Sequence, residues 1–189
     1  MSGAEIAIDT SNTSEISNTQ GKECTVGRFV TPEEGWKIVK IAESWEGTAY
    51  KLKGAQSVKG ISGDCSGSTN KIYIEAGFPY PYQMTSSFVS YSEKSNRFRE
   101  IDPKKESMQA GDVLFWRGHM ALFAPLPEGH PKRDTGVIKR GQKKLNNMYT
   151  AFNENSTRPY GPYNIETFRS DPYRVFRYLV MPCVPNSKK

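Results

Sequence analysis

The stretch Gly63-Asp64-Cys65-Ser66-Gly67 stands directly ahead of Ser68-Thr69-Asn70-Lys71-Ile72-Tyr73-Ile74-Glu75-Ala76, and Gly77 follows. Ile72 and Ala76 are four residues apart, and a glycine just past the last periodic position is the usual left-handed cap. Residues 66–76 therefore read as a helix, with Cys65 at or just before its N-terminus. Unsatisfied N–H groups and the positive end of the helix dipole favour an anion there, which predicts a Cys65 thiol with a lowered pKa. The flanking glycines permit a tight turn into the helix and close approach of a substrate backbone, and nearby N–H groups can stabilise an oxyanion. Asp64 and Ser66 add polar contacts on either side of the thiol.

Upstream, Thr31-Pro32-Glu33-Glu34 combines an N-cap, a proline at the first helical position and a capping-box acid. Ile38, Ile41, Ala42 and Trp45 then form one apolar stripe that Gly47 closes, so this helix packs a core. Residues 47–63 read as a loop. Downstream, Phe78-Pro79-Tyr80-Pro81-Tyr82 is an extended aromatic turn, followed by a short helix at 85–91 and a polar stretch reaching Pro103. Beyond that the period changes. Apolar runs at 112–115 and 119–124, separated by Arg117-Gly118, predict a β-hairpin. Residues 125–144 are basic and rich in glycine and proline, which reads as a solvated excursion with a short strand at Val137-Ile138. Two further strands are expected at 148–152 and 173–181. A helical front and a strand-rich back give an α+β domain with N-terminal helices packed on an antiparallel β-sheet.

A thiol nucleophile needs a base, and the chain of 189 residues contains two histidines, His119 and His130. His119 opens a predicted strand behind Gly118, where a rigid backbone can aim the imidazole, whereas His130 lies in the excursion. The length suits one domain, taken as residues 29–185 behind a disordered leader at 1–28 that is poor in aromatic and branched apolar residues. The start of that leader has no basic n-region and no apolar h-region, which predicts a protein made in the cytoplasm without a Sec signal. No run approaches the ~18 apolar residues of a membrane span, so no membrane insertion is expected. A net charge of +6 favours anionic partners. Of the three cysteines, Cys24 and Cys183 flank the domain; they can pair in an oxidising compartment, leaving Cys65 free, or all three can be reduced. Their spacing predicts no metal site and no cofactor.

Taken in order, Gly47-Thr48-Ala49-Tyr50, Gly63-Asp64-Cys65-Ser66-Gly67, Gly77-Phe78-Pro79 with Thr85-Ser86, Ala110-Gly111-Asp112-Val113-Leu114-Phe115-Trp116 and Gly118-His119-Met120-Ala121-Leu122-Phe123 resemble the landmarks of NlpC/P60 cysteine peptidases. The resemblance runs from about Gly47 to Phe123. It implies a papain-like fold and hydrolysis of an amide bond in bacterial cell-wall peptide, commonly the one between D-glutamate and diaminopimelate. It also implies Cys65 as nucleophile, His119 as base, and Tyr50, Asp64 and Ser66 as substrate-contacting residues.

The chain departs from the family at the third catalytic group, usually a histidine and less often Asn or Gln on the strand after the base. Direct alignment puts Thr150 there, while chemistry prefers Asn153 or Asn155, and a backbone carbonyl can also serve. A wall hydrolase without a Sec signal suggests an antibacterial effector of the type VI secretion kind, acting in the periplasm of a target bacterium and restrained by a cognate immunity protein. A phage-type or housekeeping murein endopeptidase is the alternative, and a catalytically dead binding module is another. Lys132, Arg133, Lys139, Arg140, Lys143 and Lys144 supply charge, but few aromatics are interleaved, so no nucleic-acid partner is expected.

Overall fold

The computed structural model describes residues 27–137, 143–152 and 158–180. Strand β1 (Arg28–Phe29) begins at the last residue of the compositional leader. Helix α1 (Pro32–Ser44) starts with the capping box anticipated from sequence: Thr31 Oγ1 accepts from the Glu34 N–H at 3.2 Å, and the Glu34 carboxylate accepts from the Thr31 N–H at 2.8 Å. The Arg28 guanidinium grips the same carboxylate through two bonds of 2.7 and 2.8 Å, the main reason its pKa falls to about 2. The helix stops before Gly47, but Trp45 at its C-cap is still buried with Ile38 and Ala42.

Parallel strands β2 (Ala49–Tyr50) and β3 (Ser62–Gly63) bracket a single 3₁₀ turn, Gly54–Gln56, where the sequence suggested only a loop. Helix α2 (Cys65–Ala76) begins one residue earlier than the spacing indicated and ends on Gly77, whose φ of 93° is the expected left-handed cap. Helix α3 (Thr85–Ser95) runs a turn past residue 91, ending on Asn96 at φ 52°.

The remaining chain is mostly strand. It comprises β4 (Phe98–Ile101), β5 (Val113–Trp116), β6 (His119–Phe123), β7 (Gly136–Val137), β8 (Lys143–Lys144), β9 (Met148–Thr150), β10 (Gly161–Tyr163), the short helix α4 (Ile165–Phe168) and β11 (Arg174–Val180). Seven strands form one sheet in the order β1-β11-β5-β6-β9-β10, with β4 also pairing with β11, and every pairing in it is antiparallel. The protein is thus α+β, with four helices and a mostly antiparallel sheet. No helix among the described residues is long and apolar enough to cross a membrane.

Burial explains both the runs that were legible and those that were not. Every residue of β5 and β6 is buried, because the sheet is covered on both faces. Val113, Phe115, Met120 and Leu122 pack toward α1 and α2, while Leu114, Trp116, Ala121 and Phe123 pack against Ile165 and Val175 on the other face. The polar stretch before Pro103 hides β4, since Phe98 and Ile101 are buried but Arg99 and Glu100 face outward and pair with Glu106 and Arg174. The basic excursion is not simply solvated. His130 Nε2 meets Glu43 Oε1 at 2.9 Å and Lys132 meets Glu46 at 2.8 Å, fastening the segment to the end of α1, while β7 and β8 pair at its tip. Val137 is in a strand as expected, and Ile138 lies outside the described residues, as do Cys24 and Cys183.

One buried charge ties β11 to the hairpin. Arg177 donates to both carboxylate oxygens of Asp112 at 2.9 and 2.8 Å and also to Glu106 and the Ser107 carbonyl, while Arg177 and Asp112 are 6% and 1% exposed. Removing one partner of such a pair strands the other charge out of water. Asp112→Ala is expected to lower the unfolding free energy by about 3–5 kcal/mol in urea titrations. A loss below about 1 kcal/mol would show that Glu106 and solvent suffice for Arg177.

Candidate active site

Asp64 builds the local frame. As the N-cap of α2 its Oδ1 accepts from the Gly67 N–H at 2.8 Å and from the Ser66 hydroxyl at 3.0 Å. Its Oδ2 accepts from the Lys53 N–H at 2.7 Å and from the Gly54 N–H. One carboxylate therefore caps the helix and fastens the 3₁₀ turn across it. The turn comes so close that a Cβ on Gly67 would lie 2.1 Å from both the Gly54 carbonyl oxygen and Ser57 Oγ. Gly67 thus admits the protein's own turn, where the sequence suggested room for a substrate backbone.

Cys65 occupies the first helical position and is 6% exposed. Burial pushes its thiol up to about 11, with the Asp64 charge adding to the rise. The N–H groups of Met120, Ser66 and Cys65 itself oppose this without overcoming it. The lowered pKa expected from the helix terminus is therefore corrected: in the free protein the group is a thiol at neutral pH. Its contact with the Met120 N–H places it against the start of β6, next to the residue that carries the imidazole.

His119 is also buried, and burial, reinforced by Arg169 and opposed by Asp171, lowers its pKa to about 4. Its ring centroid lies 4.9 Å from that of Phe168 and 6.1 Å from that of Trp116. Side chains alternate along the strand, so Met120 turns toward α2 while His119 turns toward these two rings. Thiol and imidazole thus meet the start of β6 from different sides. Among the described residues, no hydrogen bond joins them.

Thr150 lies beside His119 because β9 pairs with β6. His119 Nε2 is 2.9 Å from Thr150 Oγ1, and that oxygen is 2.7 Å from the Met120 carbonyl and 3.1 Å from the Ala151 carbonyl. A carbonyl only accepts, so the single hydroxyl proton goes to one of them. The contact with His119 must then be donated by Nε2–H, leaving Nδ1 as the basic nitrogen. The direct alignment to Thr150 thus identifies the imidazole's partner, while Asn153 and Asn155 lie outside the described residues. His130 stands apart, engaged with Glu43.

Over the thiol lies a cleft of about 550 Å³, lined by Tyr50, Asp64, Cys65 and Ser66 on one part and by Lys53, Tyr82, Met84 and Gly118 on others. Four of the five sequence-identified site residues are thus together, and His119 adjoins them through Gly118. Ser66 spends its hydroxyl proton on Asp64 and lies 3.2 Å from the Tyr82 hydroxyl. Tyr50 packs on the main core at the cleft wall. Sequence reasoning missed Lys53, Tyr82 and Phe168. Tyr82 was visible as part of an aromatic turn, but nothing in the local pattern told which way it points. Among the described residues no group of His, Cys, Asp and Glu is arranged to hold a metal ion.

No family model matches the chain, and no curated protein matches it.

Two outcomes follow from this geometry. Alkylation of Cys65 by iodoacetamide should be slow at pH 7 and rise with pH toward a midpoint of about 11, because the reactive thiolate appears only as the raised pKa is approached. A plateau already reached at neutral pH would show that the helix terminus outweighs burial. Thr150→Val, which removes the acceptor for Nε2–H, should reduce kcat on a cleaved substrate by about 10²-fold with little change in KM, and Thr150→Ser should restore it. Equal activity in the valine and serine variants would deny Thr150 its positioning role.

Proposed function

We propose that the chain is a cysteine peptidase or amidase of the NlpC/P60 kind, with a papain-like fold, that hydrolyses an amide bond in bacterial cell-wall peptide. The observation that carries the reading is a helix-start cysteine lining a cleft that is bordered by Gly118, next in the chain to an imidazole whose Nε2 is engaged by Thr150. The ordered sequence landmarks support the same reading, and the bond between D-glutamate and diaminopimelate is the preferred target.

In this mechanism His119 Nδ1 takes the Cys65 proton as sulfur attacks the carbonyl carbon, giving a tetrahedral oxyanion beside the N–H groups that start α2. The imidazolium returns that proton to the departing amine, and the C–N bond breaks to leave a thioester. Neutral His119 then takes a proton from a water that attacks the thioester, the C–S bond breaks as the imidazolium returns that proton to sulfur, and the carboxylic acid released ionises in solvent. The imidazole must approach the thiol for the first transfer, a movement that substrate binding has to drive. We extend the proposal to an antibacterial effector delivered to the target periplasm and blocked by an immunity protein over the cleft.

One observation favours a second reading. The thiol near 11 and the imidazole near 4, with no hydrogen bond between them, make a weakly reactive resting pair. A binding module that has lost its chemistry would have the same features. Mass spectrometry of purified muropeptides separates the two: the wild type is expected to release a new N-terminus and a new carboxylate, and folded Cys65→Ala protein to release neither. Wild-type digests identical to those of Cys65→Ala would leave only the binding reading. In cells, the wild type fused to a Sec signal should cause lysis that the exported Cys65→Ala protein does not.

A further inference from the structure

The loop from Lys51 to Ile61 leaves β2 and returns into β3, its neighbour, and the Lys51 N–H donates to the Gly63 carbonyl at 3.2 Å. Three contacts fix its course between those ends. Asp64 holds the Gly54 N–H, Ser57 is buried against Gly67, and the Gly60 N–H donates to Thr48 Oγ1 at 2.9 Å. A bridge between Val58 and Ser62 tightens the last turn. Between these anchors the side chains are exposed. Leu52, Val58 and Ile61 are 69%, 48% and 68% exposed, and Lys51, Lys53 and Lys59 are exposed next to them in the chain. An exposed aliphatic residue standing singly needs no explanation, but three on one rigid protrusion mark an interaction surface.

Composition decides what kind of surface this is. From Gly47 to Ile74 the chain carries four lysines and a single acid, Asp64, whose oxygens are already engaged by four protein donors. Lys59 meets Glu75 at 2.6 Å, whereas Lys51 and Lys53 form no ion pair among the described residues. Protein-binding patches concentrate aromatic residues and arginine and are depleted in lysine, and the loop contains no aromatic residue and no arginine. Aliphatic side chains interspersed with lysines are instead the composition of surfaces that lie on anionic lipid. There the aliphatic groups enter the boundary between head groups and acyl chains, and each ammonium adds attraction to the lipid phosphates. The anchored backbone has little conformational freedom left to lose on docking.

We propose that the 51–61 loop is a docking surface for an anionic lipid bilayer, with Leu52, Val58 and Ile61 as its apolar contacts and the lysines as its electrostatic attraction. The attachment is peripheral, since no helix among the described residues is long and apolar enough to cross a membrane. It requires none of the chemistry at Cys65 and stands or falls apart from the hydrolase reading. Leu52 also lines the cleft, so a docked protein holds the mouth of that cleft beside the lipid surface.

The test is co-sedimentation of the full chain with sucrose-loaded vesicles, either phosphatidylglycerol mixed with phosphatidylcholine or phosphatidylcholine alone. The wild type is expected to bind the anionic vesicles at least about tenfold more tightly, with affinity falling as salt rises. Val58→Ser/Ile61→Ser, at two positions outside the cleft lining, should weaken that binding by about tenfold, and Lys51→Glu by a similar factor. Fluorescence gives a local readout: Ile61→Trp emission should shift to the blue on anionic vesicles, while that of Leu145→Trp, at a 44% exposed position outside the loop, should not. Equal binding to both kinds of vesicle, or none, would overturn the proposal, as would undiminished binding by the serine variant. Capture of soluble polyglutamate as tight as that of the vesicles, with Ile61→Trp unshifted on lipid, would overturn it in favour of an acidic protein partner.

Discussion

The site depends on the Asp64 carboxylate. It caps α2 at Gly67, holds the Ser66 hydroxyl and receives the N–H groups of Lys53 and Gly54, so the helix that Cys65 opens and the opposite wall of the cleft share one anchor. A charged acceptor with four donors is worth far more than a solvated ion pair. Glycine at position 67 is the matching constraint, because any side chain there would collide with the turn that the carboxylate pulls in. Asp64 thereby lends the cleft its shape, both of its oxygens already engaged by protein donors.

Burial against helix dipole is the contest that decides the state of Cys65. A helix N-terminus stabilises an anion by about 0.3–1 kcal/mol, less than one pKa unit. Moving the thiol from its ordinary 9.0 to about 11 corresponds to about 2.7 kcal/mol against the anion, so desolvation prevails even with three N–H groups nearby. The same burial suppresses the charged form of His119. An ion pair at rest is therefore unavailable to this dyad, and general-base transfer within a closed complex is the route the proposed chemistry has to take. Thr150 is suited to that role only in part: its hydroxyl fixes the tautomer, but it carries no charge to stabilise an imidazolium.

What could be read from sequence was what local rules control. The capping box at Thr31, the glycine cap at Gly77, the helix opening at Cys65 and the two-residue turn at Arg117-Gly118 each depend on a few adjacent residues, and all appear in the structure. Strand β4 escaped because outward charges at Arg99 and Glu100 mask two buried positions, and β10 and α4 escaped because they are too short to establish a period. At the site, Cys65, Asp64, Ser66 and Tyr50 line one cleft. Lys53 and Phe168 could not be found that way. Their positions follow from the Asp64 clasp and from the packing of α4 under β6, contacts between segments far apart in the chain.

The placement of His119 carries the remaining argument. Being first in β6, it is held by the strand on one side only, and its ring leans on Phe168 and Trp116 rather than on the thiol. Phe168 itself belongs to a four-residue helix whose N-cap, Asn164, is tied to the Leu145 carbonyl at 2.6 Å. The imidazole's resting position is therefore set through Phe168 and Trp116, while the thiol's is set by the start of α2, which Asp64 caps. On the hydrolase reading proposed above, a nucleophile and a base held by separate frameworks would be brought together by a ligand that touches both, and the cleft bordered by Gly118 is where such a ligand would lie. On that reading, substrate binding would do two things at once: cover the exposed Leu52 and Met84, and supply the energy that closes the dyad.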